Sequence, residues 1–265
     1  MTRAGRRTWA NPEVDLKGKV ALVTGGAHRV GKAIALALAE QGADVAIHYG
    51  RAHDEAAATV AELEAAGAAA LAHAADLTDV AAIDGLFAAV DARFGRLDLL
   101  VNSAAEFRHQ RFDRVTPEDW DQTLAVNLRA PFLCTQRAAR LMTRAPREAP
   151  GLVVNIADLS GVGVWPGYVQ HGVSKAGLLH LTQIAALELA PAVRVNALVL
   201  GPIMPVRGRG EDEAWRKLID SLPLRRAGGG AAVGEAVVFL AHSDFTTGTT
   251  LELDGGEHLL GPGGE

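Results

Sequence analysis

Short apolar segments alternate with longer segments of helical periodicity along almost the whole chain, and this alternation most limits the possible folds. The apolar segments are continuous, as expected of strands that are buried on both faces of a parallel sheet. Seven strands are predicted, over residues 19–24, 44–49, 69–74, 97–102, 151–156, 193–199 and 249–253. The sequence therefore predicts an α/β fold, with helices on both faces of a doubly wound, mostly parallel seven-stranded sheet.

Helical periodicity fills the segments between these strands. After the first strand, apolar residues recur at Val30, Ile34 and Leu38, a spacing that places them on one face of a helix, and Gly42 is a typical residue at a helix C-terminus. Further helices are predicted over residues 52–66, 79–94, 117–142, 168–190 and 231–241. The three consecutive glycines at residues 228–230 are predicted to form a loop within the domain.

Length and composition indicate one domain with a small-molecule ligand. The 265 residues fit a flexible N-terminal tail (1–16) followed by a single domain (17–265). The 31 acidic residues exceed the 26 lysines and arginines, which argues against nucleic acid as a partner. The chain has one cysteine, no apolar run long enough to span a membrane and no apolar secretory segment at its start. We therefore expect a cytoplasmic protein with no metal site.

The connection between the first strand and the first helix is rich in glycine. Ligands of such sheets bind beyond the carboxyl ends of the strands, where residues 24–31 read TGGAHRVG. Glycines there permit a tight turn and let the backbone approach a pyrophosphate, which the helix N-terminus attracts. The residues of this turn that we expect to bind a dinucleotide are Gly25, His28, Arg29, Val30 and Gly31.

The end of the second strand indicates which dinucleotide is bound. An NAD site places an acidic residue there for the ribose 2′-hydroxyl, whereas this sequence has His48, Tyr49 and Arg51. Arg51, together with His28 and Arg29, offers cationic groups to a 2′-phosphate. The sequence therefore predicts NADP(H) as the cofactor.

Further motifs resemble the short-chain dehydrogenases/reductases, a family of Rossmann-fold oxidoreductases, in order and spacing from about residue 17 to residue 256. After the glycine-rich turn, the matching segments are Asp76-Leu77, Asn102-Ser103-Ala104-Ala105, Asn127, Lys175, Arg194-Val195-Asn196, Gly201-Pro202 and Asp254-Gly255-Gly256. The resemblance implies a single Rossmann domain with oxidoreductase activity. It also implies a homo-oligomer, since relatives are commonly tetramers.

The same resemblance assigns contacts with the cofactor. It implies that Asp76 and Leu77 face the adenine and that Lys175 binds the nicotinamide ribose. It implies that Pro202 and Ile203 lie beside the nicotinamide. The remaining residues that it assigns to the cofactor site are Asn102, Ser103, Ala104 and Asn127.

Within the family, the sequence is most similar to the pteridine reductases. Arg29 replaces the middle glycine of the turn, the second strand ends in His48-Tyr49-Gly50-Arg51, and Asp158 stands where most members have a catalytic serine. The resemblance implies that Phe107 stacks on a pterin, with Arg29 and Asp158 as further substrate contacts. From the residues alone, Phe107 is equally explained as an anchor of its own loop.

The catalytic tyrosine of the family is replaced. It normally precedes the lysine by four residues, and here that position holds His171, which lies thirteen residues after Asp158. Tyr168 lies three residues too early. The sequence thus predicts Asp158, His171 and Lys175 as the catalytic group of an NADPH-dependent reductase, acting on a pterin-like C=N or a carbonyl substrate.

Three interpretations of this replacement remain open. His171 can serve as the general acid, because an imidazole suits proton transfer near neutral pH. Asp158 can deliver the proton instead, directly or through water. In the third interpretation the replacement abolishes turnover and leaves an NADP(H)-binding regulatory or sensing protein.

Overall fold

The computed structural model describes residues 14–206, 208 and 210–260 and contains one seven-stranded sheet. Its strands are β1 (Val20–Thr24), β2 (Asp44–Tyr49), β3 (Ala70–Ala74), β4 (Leu99–Asn102), β5 (Gly151–Asp158), β6 (Val193–Leu200) and β7 (Thr250–Leu253). They are arranged in the order β3-β2-β1-β4-β5-β6-β7, and every neighbouring pair is parallel. The predicted α/β sheet is confirmed, and it is parallel throughout.

Helices cover both faces of the sheet. They are α1 (Arg29–Glu40), α2 (His53–Ala65), α3 (Val80–Phe94), α4 (Pro117–Leu124), α5 (Ala130–Met142), α6 (Val169–Leu189), α7 (Glu213–Ser221) and α8 (Gly229–His242). One hydrophobic core packs α1, α2 and α8 against the sheet, and a second packs α3, α5 and α6 on the other face. No helix among the described residues is long and apolar enough to cross a membrane.

The direction of strand progression reverses between β1 and β4. From β1 the chain moves outward through β2 and β3, and then returns to pair β4 with the other side of β1. Loops that leave the two central strands therefore diverge above and below the sheet, and they leave a crevice at the carboxyl edge.

The segment predicted as one helix over residues 117–142 contains a change in winding. A π-helical turn, Ala125–Arg129, separates α4 from α5. The turn adds a residue to the local repeat without ending the helix, so hydrophobic periodicity does not reveal it. It contains Asn127, which is fully buried.

Two predictions around the last helices were wrong. The loop predicted at residues 228–230 is in part helix, because α8 begins at Gly229, where φ is +71°. The glycines serve close packing: a Cβ on Gly230 would lie 2.6 Å from the Cβ of Ala33 in α1. Helix α7 was not predicted, although the N-cap Asp212, which accepts a hydrogen bond from the Trp215 amide, is a recognisable signal.

The N-terminal segment falls partly outside the described residues. Residues 1–13 of the predicted tail are not among them, and their flexibility stays a prediction. Leu16, which was assigned to the tail, is 4% exposed and belongs to a hydrophobic core. The carbonyl of Val14 accepts a hydrogen bond of 2.7 Å from Nδ1 of His242. The packed chain therefore extends at least to Val14.

Contact between α8 and α1 yields a prediction about stability. A Cβ on Gly234 would lie 2.7 Å from the Cβ of Ala37, whereas a Cβ on Gly85 in α3 would meet nothing within 4 Å. We expect Gly234→Ala to lower the free energy of unfolding by about 1–3 kcal/mol through overpacking. The matched Gly85→Ala should raise it by up to about 1 kcal/mol, because alanine favours the helix. Urea denaturation measures both, and stabilisation by Gly234→Ala would contradict the close packing.

Candidate active site

A cleft of about 820 Å³ opens at the carboxyl ends of β1 to β4. The predicted cofactor-binding residues that line it are Gly25, His28, Arg29, Val30, Gly31, His48, Arg51, Asp76, Leu77, Ser103 and Ala104. The lining residues that sequence reasoning missed are Gly50, Ala74, Ala75, Ala105, Gln122 and Val126. Most of these have small side chains with no chemical signature, and only the fold brings them to the cleft.

The glycine-rich turn is shaped so that backbone comes close to a ligand. A Cβ on Gly31 would lie 2.2 Å from the carbonyl oxygen of Gly25, and a Cβ on Gly25 would lie 2.9 Å from Cα of Ala104. Both positions therefore accept only glycine. The hydroxyl oxygen of Thr24 accepts hydrogen bonds from the amides of Ser103 (3.0 Å) and Ala104 (3.1 Å), which fixes the turn against the loop after β4.

The cationic side chains of the cleft are placed differently from one another. Arg29 adopts φ +53°, the conformation that a glycine would take at this position, and its guanidinium donates to the carbonyl of Pro205 (2.7 Å) after β6. Arg51 is exposed on the cleft wall. Nδ1 of His28 is buried and has no hydrogen-bond partner among the described residues. Arg51 and His28 thus remain available to an anionic ligand.

Asp76 supplies a negative charge just after β3, on the wall of the cleft. Hydrogen bonds from the amide and the hydroxyl of Thr78, both 2.8 Å, lower the pKa of Asp76, and the nearby charge of Arg51 contributes. This carboxylate follows β3 rather than β2, so the position where an NAD site would have its acidic residue is left without one.

Several residues predicted to bind the cofactor lie outside the cleft. Tyr49 lines a smaller neighbouring pocket, and its hydroxyl contacts Nδ1 of His53 at 3.2 Å. The amide of Asn102 is buried and donates to Oδ1 of Asn155 at 2.8 Å. Asn127 and Lys175 are also buried beneath the surface, next to His171 and Asp158 respectively.

Pro202 and Ile203 line a separate cavity of about 450 Å³ between α8 and the segment after β7. Their place beside the nicotinamide stays a prediction. Their carbonyl groups accept hydrogen bonds from the amides of Gly228 (3.1 Å) and Gly229 (2.9 Å), which ties this segment to the start of α8.

The three predicted catalytic residues come together at the carboxyl end of β5. Nε2 of His171 lies 2.7 Å from Oδ2 of Asp158, and Nζ of Lys175 donates to the carbonyl of Ile156 at 2.8 Å. Burial lowers the pKa of Lys175, and the carboxylate of Asp158 opposes this effect. For Asp158, burial acts to raise the pKa, but the hydrogen bond from His171 and the charge of Lys175 outweigh it and the pKa is lowered.

The other ring nitrogen of His171 also faces an acceptor. Nδ1 lies 3.0 Å from the carbonyl oxygen of Glu106. Asn127 has its two amide hydrogens within reach of that same carbonyl (2.9 Å) and of Oγ of Ser174 (3.1 Å), and its Oδ1 accepts from the amide of Glu106. The amide nitrogen of Asn127 also lies 3.3 Å from Nδ1 of His171, so this ring nitrogen has both a carbonyl acceptor and an amide donor beside it. His171 is thus held on both sides, by Asp158 at Nε2 and by Glu106 and Asn127 at Nδ1.

Comparison with known proteins agrees with this architecture. A family model described as Enoyl-(Acyl carrier protein) reductase matches residues 25–258. The 3-oxoacyl-[acyl-carrier-protein] reductase FabG of Staphylococcus aureus (strain Mu50) is 34% identical over 245 residues, which cover 91% of this chain and 98% of that protein. The chain belongs to the short-chain dehydrogenase/reductase family. The predicted family and its oxidoreductase class are confirmed.

Two similar solved structures contain NADP. A short chain dehydrogenase from Burkholderia cenocepacia J2315 in complex with NADP has a TM-score of 0.85 and 35% identity, covering 92% of this chain and 100% of that chain. FolM alternative dihydrofolate reductase 1 from Brucella canis, complexed with NADP, has a TM-score of 0.84 and 34% identity, covering 93% and 96%. These relatives agree with the predicted cofactor. FabG and FolM are equally similar, so the comparisons do not separate a pterin substrate from a carbonyl substrate.

An aromatic cluster covers the catalytic group of this family member. The ring of Phe107 stacks on Tyr168 at 4.8 Å and meets the ring of His171 edge-on at 4.8 Å. Trp165 packs edge-on against Tyr168 at 5.9 Å. Phe107 is nevertheless 46% exposed, so much of its ring remains open to a ligand. Its stacking on a substrate stays a prediction.

Three carboxylate and imidazole groups lie together away from the cleft. Ligand atoms of Glu252, Asp254 and His258 lie within 4.8 Å of one another. Nδ1 of His258 is 2.7 Å from Oδ2 of Asp254. This hydrogen bond and the neighbouring carboxylates raise the pKa of His258.

Proposed function

We propose that this protein is an NADPH-dependent reductase that transfers hydride to the C=N bond of a pterin-like compound or to a carbonyl group. The observation that carries the proposal is the buried group of Asp158, His171 and Lys175 beside a dinucleotide-sized cleft. Ala105 lines the cleft, and the next residue, Glu106, holds the ring of His171. A proton donor therefore adjoins the place where a cofactor would bind.

The residues of the cleft fit NADP(H). The glycine turn leaves a cradle that a Cβ would fill at Gly31, which suits a pyrophosphate at the N-terminus of α1. Arg51 and the unpartnered Nδ1 of His28 suit a 2′-phosphate. By resemblance to the family, Lys175 would hold the nicotinamide ribose. When bound, the reduced cofactor supplies the hydride.

The protein must supply the matching proton to the nitrogen or oxygen of the substrate. We assign the transferable proton to Nε2 of His171, which lies 2.7 Å from Oδ2 of Asp158, and the carboxylate orients the ring. The side chain of Asp158 is 18% exposed and that of His171 is 2% exposed, so the carboxylate is the more accessible of the two. The proton of Nε2 thus reaches the substrate either after a small rotation of the ring or by way of Asp158. Solvent then reprotonates the pair.

Two features bear on the substrate class. The half-exposed ring of Phe107 next to His171 offers a flat surface on which a pterin would stack, and FolM, by its name a dihydrofolate reductase, is a relative. FabG, by its name a 3-oxoacyl reductase, supports a carbonyl substrate. We place the pterin-like substrate first because Asp158 and Phe107 also match the pteridine reductases.

One observation favours the alternative of a binding protein without turnover. Both nitrogens of His171 are engaged, by Asp158 and by the carbonyl of Glu106, and the residue is 1% exposed. If Nε2 does not leave the carboxylate of Asp158, the protein would bind NADP(H) as a sensing or regulatory protein and would reduce no substrate.

We also infer a cytoplasmic homo-oligomer, a tetramer by resemblance. Apolar residues on the outer faces of α5 and α6 support association, since Phe132 is 46% exposed and Leu187 is 82% exposed.

A preference for NADPH follows from the cations at the 2′-phosphate position. We expect NADPH to bind at least about tenfold more tightly than NADH, or roughly 1.4 kcal/mol. Arg51→Asp should weaken NADPH binding and spare or improve NADH binding, because the new carboxylate repels the phosphate. Arg93→Asp, the same charge change on α3, serves as the control. Titration calorimetry measures the six constants, for three proteins and two nucleotides, and equal affinity of the wild type for both nucleotides would contradict the prediction.

The role of Phe107 can be tested by binding. Phe107→Ala should raise the dissociation constant of dihydrobiopterin several-fold, consistent with stacking terms of about 0.5–1.5 kcal/mol, and should leave NADPH affinity nearly unchanged. Phe112→Ala, in the same loop and 80% exposed, is the matched control. Unchanged pterin binding by Phe107→Ala would assign the residue to packing and would favour a carbonyl substrate.

Substitutions of His171 separate the reductase from the binding protein. If His171 is the proton donor, His171→Ala should lose activity by about 10²–10⁴ in steady-state NADPH oxidation. His171→Tyr should retain activity and extend it to higher pH, because the reference pKa of a phenol, about 10, lies well above that of an imidazole.

Two outcomes would contradict that assignment. Full activity of His171→Ala would make Asp158 or water the donor. A wild type that binds NADPH, turns over no pterin or carbonyl substrate and gains activity only as His171→Tyr would identify the binding protein.

A further inference from the structure

His48 is a buried side chain at the carboxyl end of β2 that bonds only to backbone groups. Its Nδ1 accepts a hydrogen bond from the amide of Gly25 at 3.2 Å, and its Nε2 donates to the carbonyl of Ala75 at 3.0 Å. An N–H donor on one side and a carbonyl on the other define one tautomer, the neutral ring with its hydrogen on Nε2. His48 is 4% exposed, so water does not replace these partners.

The two backbone partners belong to opposite walls of the cofactor cleft. Gly25 is part of the glycine turn, and Ala75 lies between β3 and Asp76 on the adenine side. Pairing between β1 and β2 ends at Thr24 and His48, so the turn lies beyond the sheet ladder. The carbonyl of His48 also accepts from the amide of Gly26 at 3.0 Å. The turn lies beyond the pairing of β1 with β2, whereas β3 is still paired with β2 at Tyr49 and Ala74. His48 therefore links the unpaired turn to the paired end of β3.

We propose that His48 is a positioning residue for cofactor binding: its neutral ring clamps the glycine turn to the end of β3, and protonation of the ring opens the clamp. The proposal rests on the proposed NADP(H) function. It assigns His48 a role in shaping the cleft wall, in place of the direct cofactor contact expected from the sequence. A proton on Nδ1 replaces an acceptor by a donor that faces the N–H of Gly25, so the turn must move away.

The groups around the ring set the pH at which this happens. His73 lies opposite His48 in the register of β3, Asp76 follows that strand, and His28 and Arg51 share the cleft wall. Burial lowers the pKa of His48, and the charge of His73 lowers it further. The hydrogen bond to Ala75 and the charge of Asp76 raise the pKa but do not outweigh burial. Because the pKa is lowered, the clamp is closed at neutral pH and opens as pH falls below the ordinary imidazole range.

Two isosteric substitutions test the two halves of the clamp. In His48→Asn the amide oxygen takes the place of Nδ1 and can accept from Gly25, whereas in His48→Gln the amide nitrogen takes the place of Nε2 and can donate to Ala75. Each variant keeps one bond of the clamp and loses the other, so at about pH 7.5 we expect both His48→Asn and His48→Gln to bind NADPH roughly tenfold more weakly than wild type, as titration calorimetry resolves. His73→Asn, on the adjacent strand, is the matched control and should bind as wild type.

The pH dependence separates clamping from simple packing. Between about pH 7.5 and pH 5, the dissociation constant of wild type should rise roughly tenfold more than that of His48→Asn, which has no titrating ring. Taking the ratio of the two proteins at each pH cancels the titration of the 2′-phosphate. Nitrogen NMR of labelled histidine in the wild type gives a readout that needs no variant, and it should show His48 as the neutral Nε2–H tautomer.

The outcomes distinguish this inference from the function on which it rests. An Nδ1–H tautomer, wild-type affinity in His48→Gln, or the same pH profile in wild type and His48→Asn would each overturn the clamp while NADPH binding stands. Failure of the wild type to bind NADPH at about pH 7.5 would overturn the proposed function, and the clamp with it.

Discussion

The hydroxyl oxygen of Thr24 holds together the two loops on which the candidate site depends. It accepts hydrogen bonds from the amides of Ser103 and Ala104, and so joins the glycine turn after β1 to the loop after β4. That loop continues to Glu106, whose carbonyl fixes the ring of His171. One hydroxyl at the centre of the sheet thus sets the distance between the glycine turn and the ring of His171. Parallel pairing of β1 with β4 is what brings Thr24 to this point.

The two departures from the family's usual residues compensate each other electrostatically. A buried imidazolium without a counter-charge would be strongly destabilising. Asp158, in the place of the usual serine, supplies that charge at 2.7 Å, and Lys175 keeps the carboxylate ionised. A histidine opposite a serine would lack this support. The replacement of serine by Asp158 therefore supports the replacement of tyrosine by His171. For this reason we interpret the pair as a proton donor and not as a site that has lost its activity with the tyrosine.

Sequence reasoning recovered what depends on periodicity and spacing, and missed what depends on backbone contacts. The seven strands, the glycine turn and the thirteen-residue spacing from Asp158 to His171 follow from local patterns. The sequence did not indicate a role for Glu106, because its backbone carbonyl, and not its side chain, contacts His171. The π-helical turn at Asn127 is invisible to hydrophobic periodicity. Pro202 and Ile203 were assigned by resemblance alone, and the sequence did not indicate that their carbonyl groups bond to the start of α8.

Two buried histidines of the site are held by different sets of partners. His48 meets one backbone donor and one backbone acceptor, which define a neutral ring. His171 lies between the carboxylate of Asp158 on one side and the carbonyl of Glu106 with the amide of Asn127 on the other. Acid therefore acts on His48 and weakens cofactor binding, whereas the proposed chemical step depends on the pair of His171 and Asp158. The two dependences differ in kind: excess NADPH relieves the first by mass action and leaves the second unchanged.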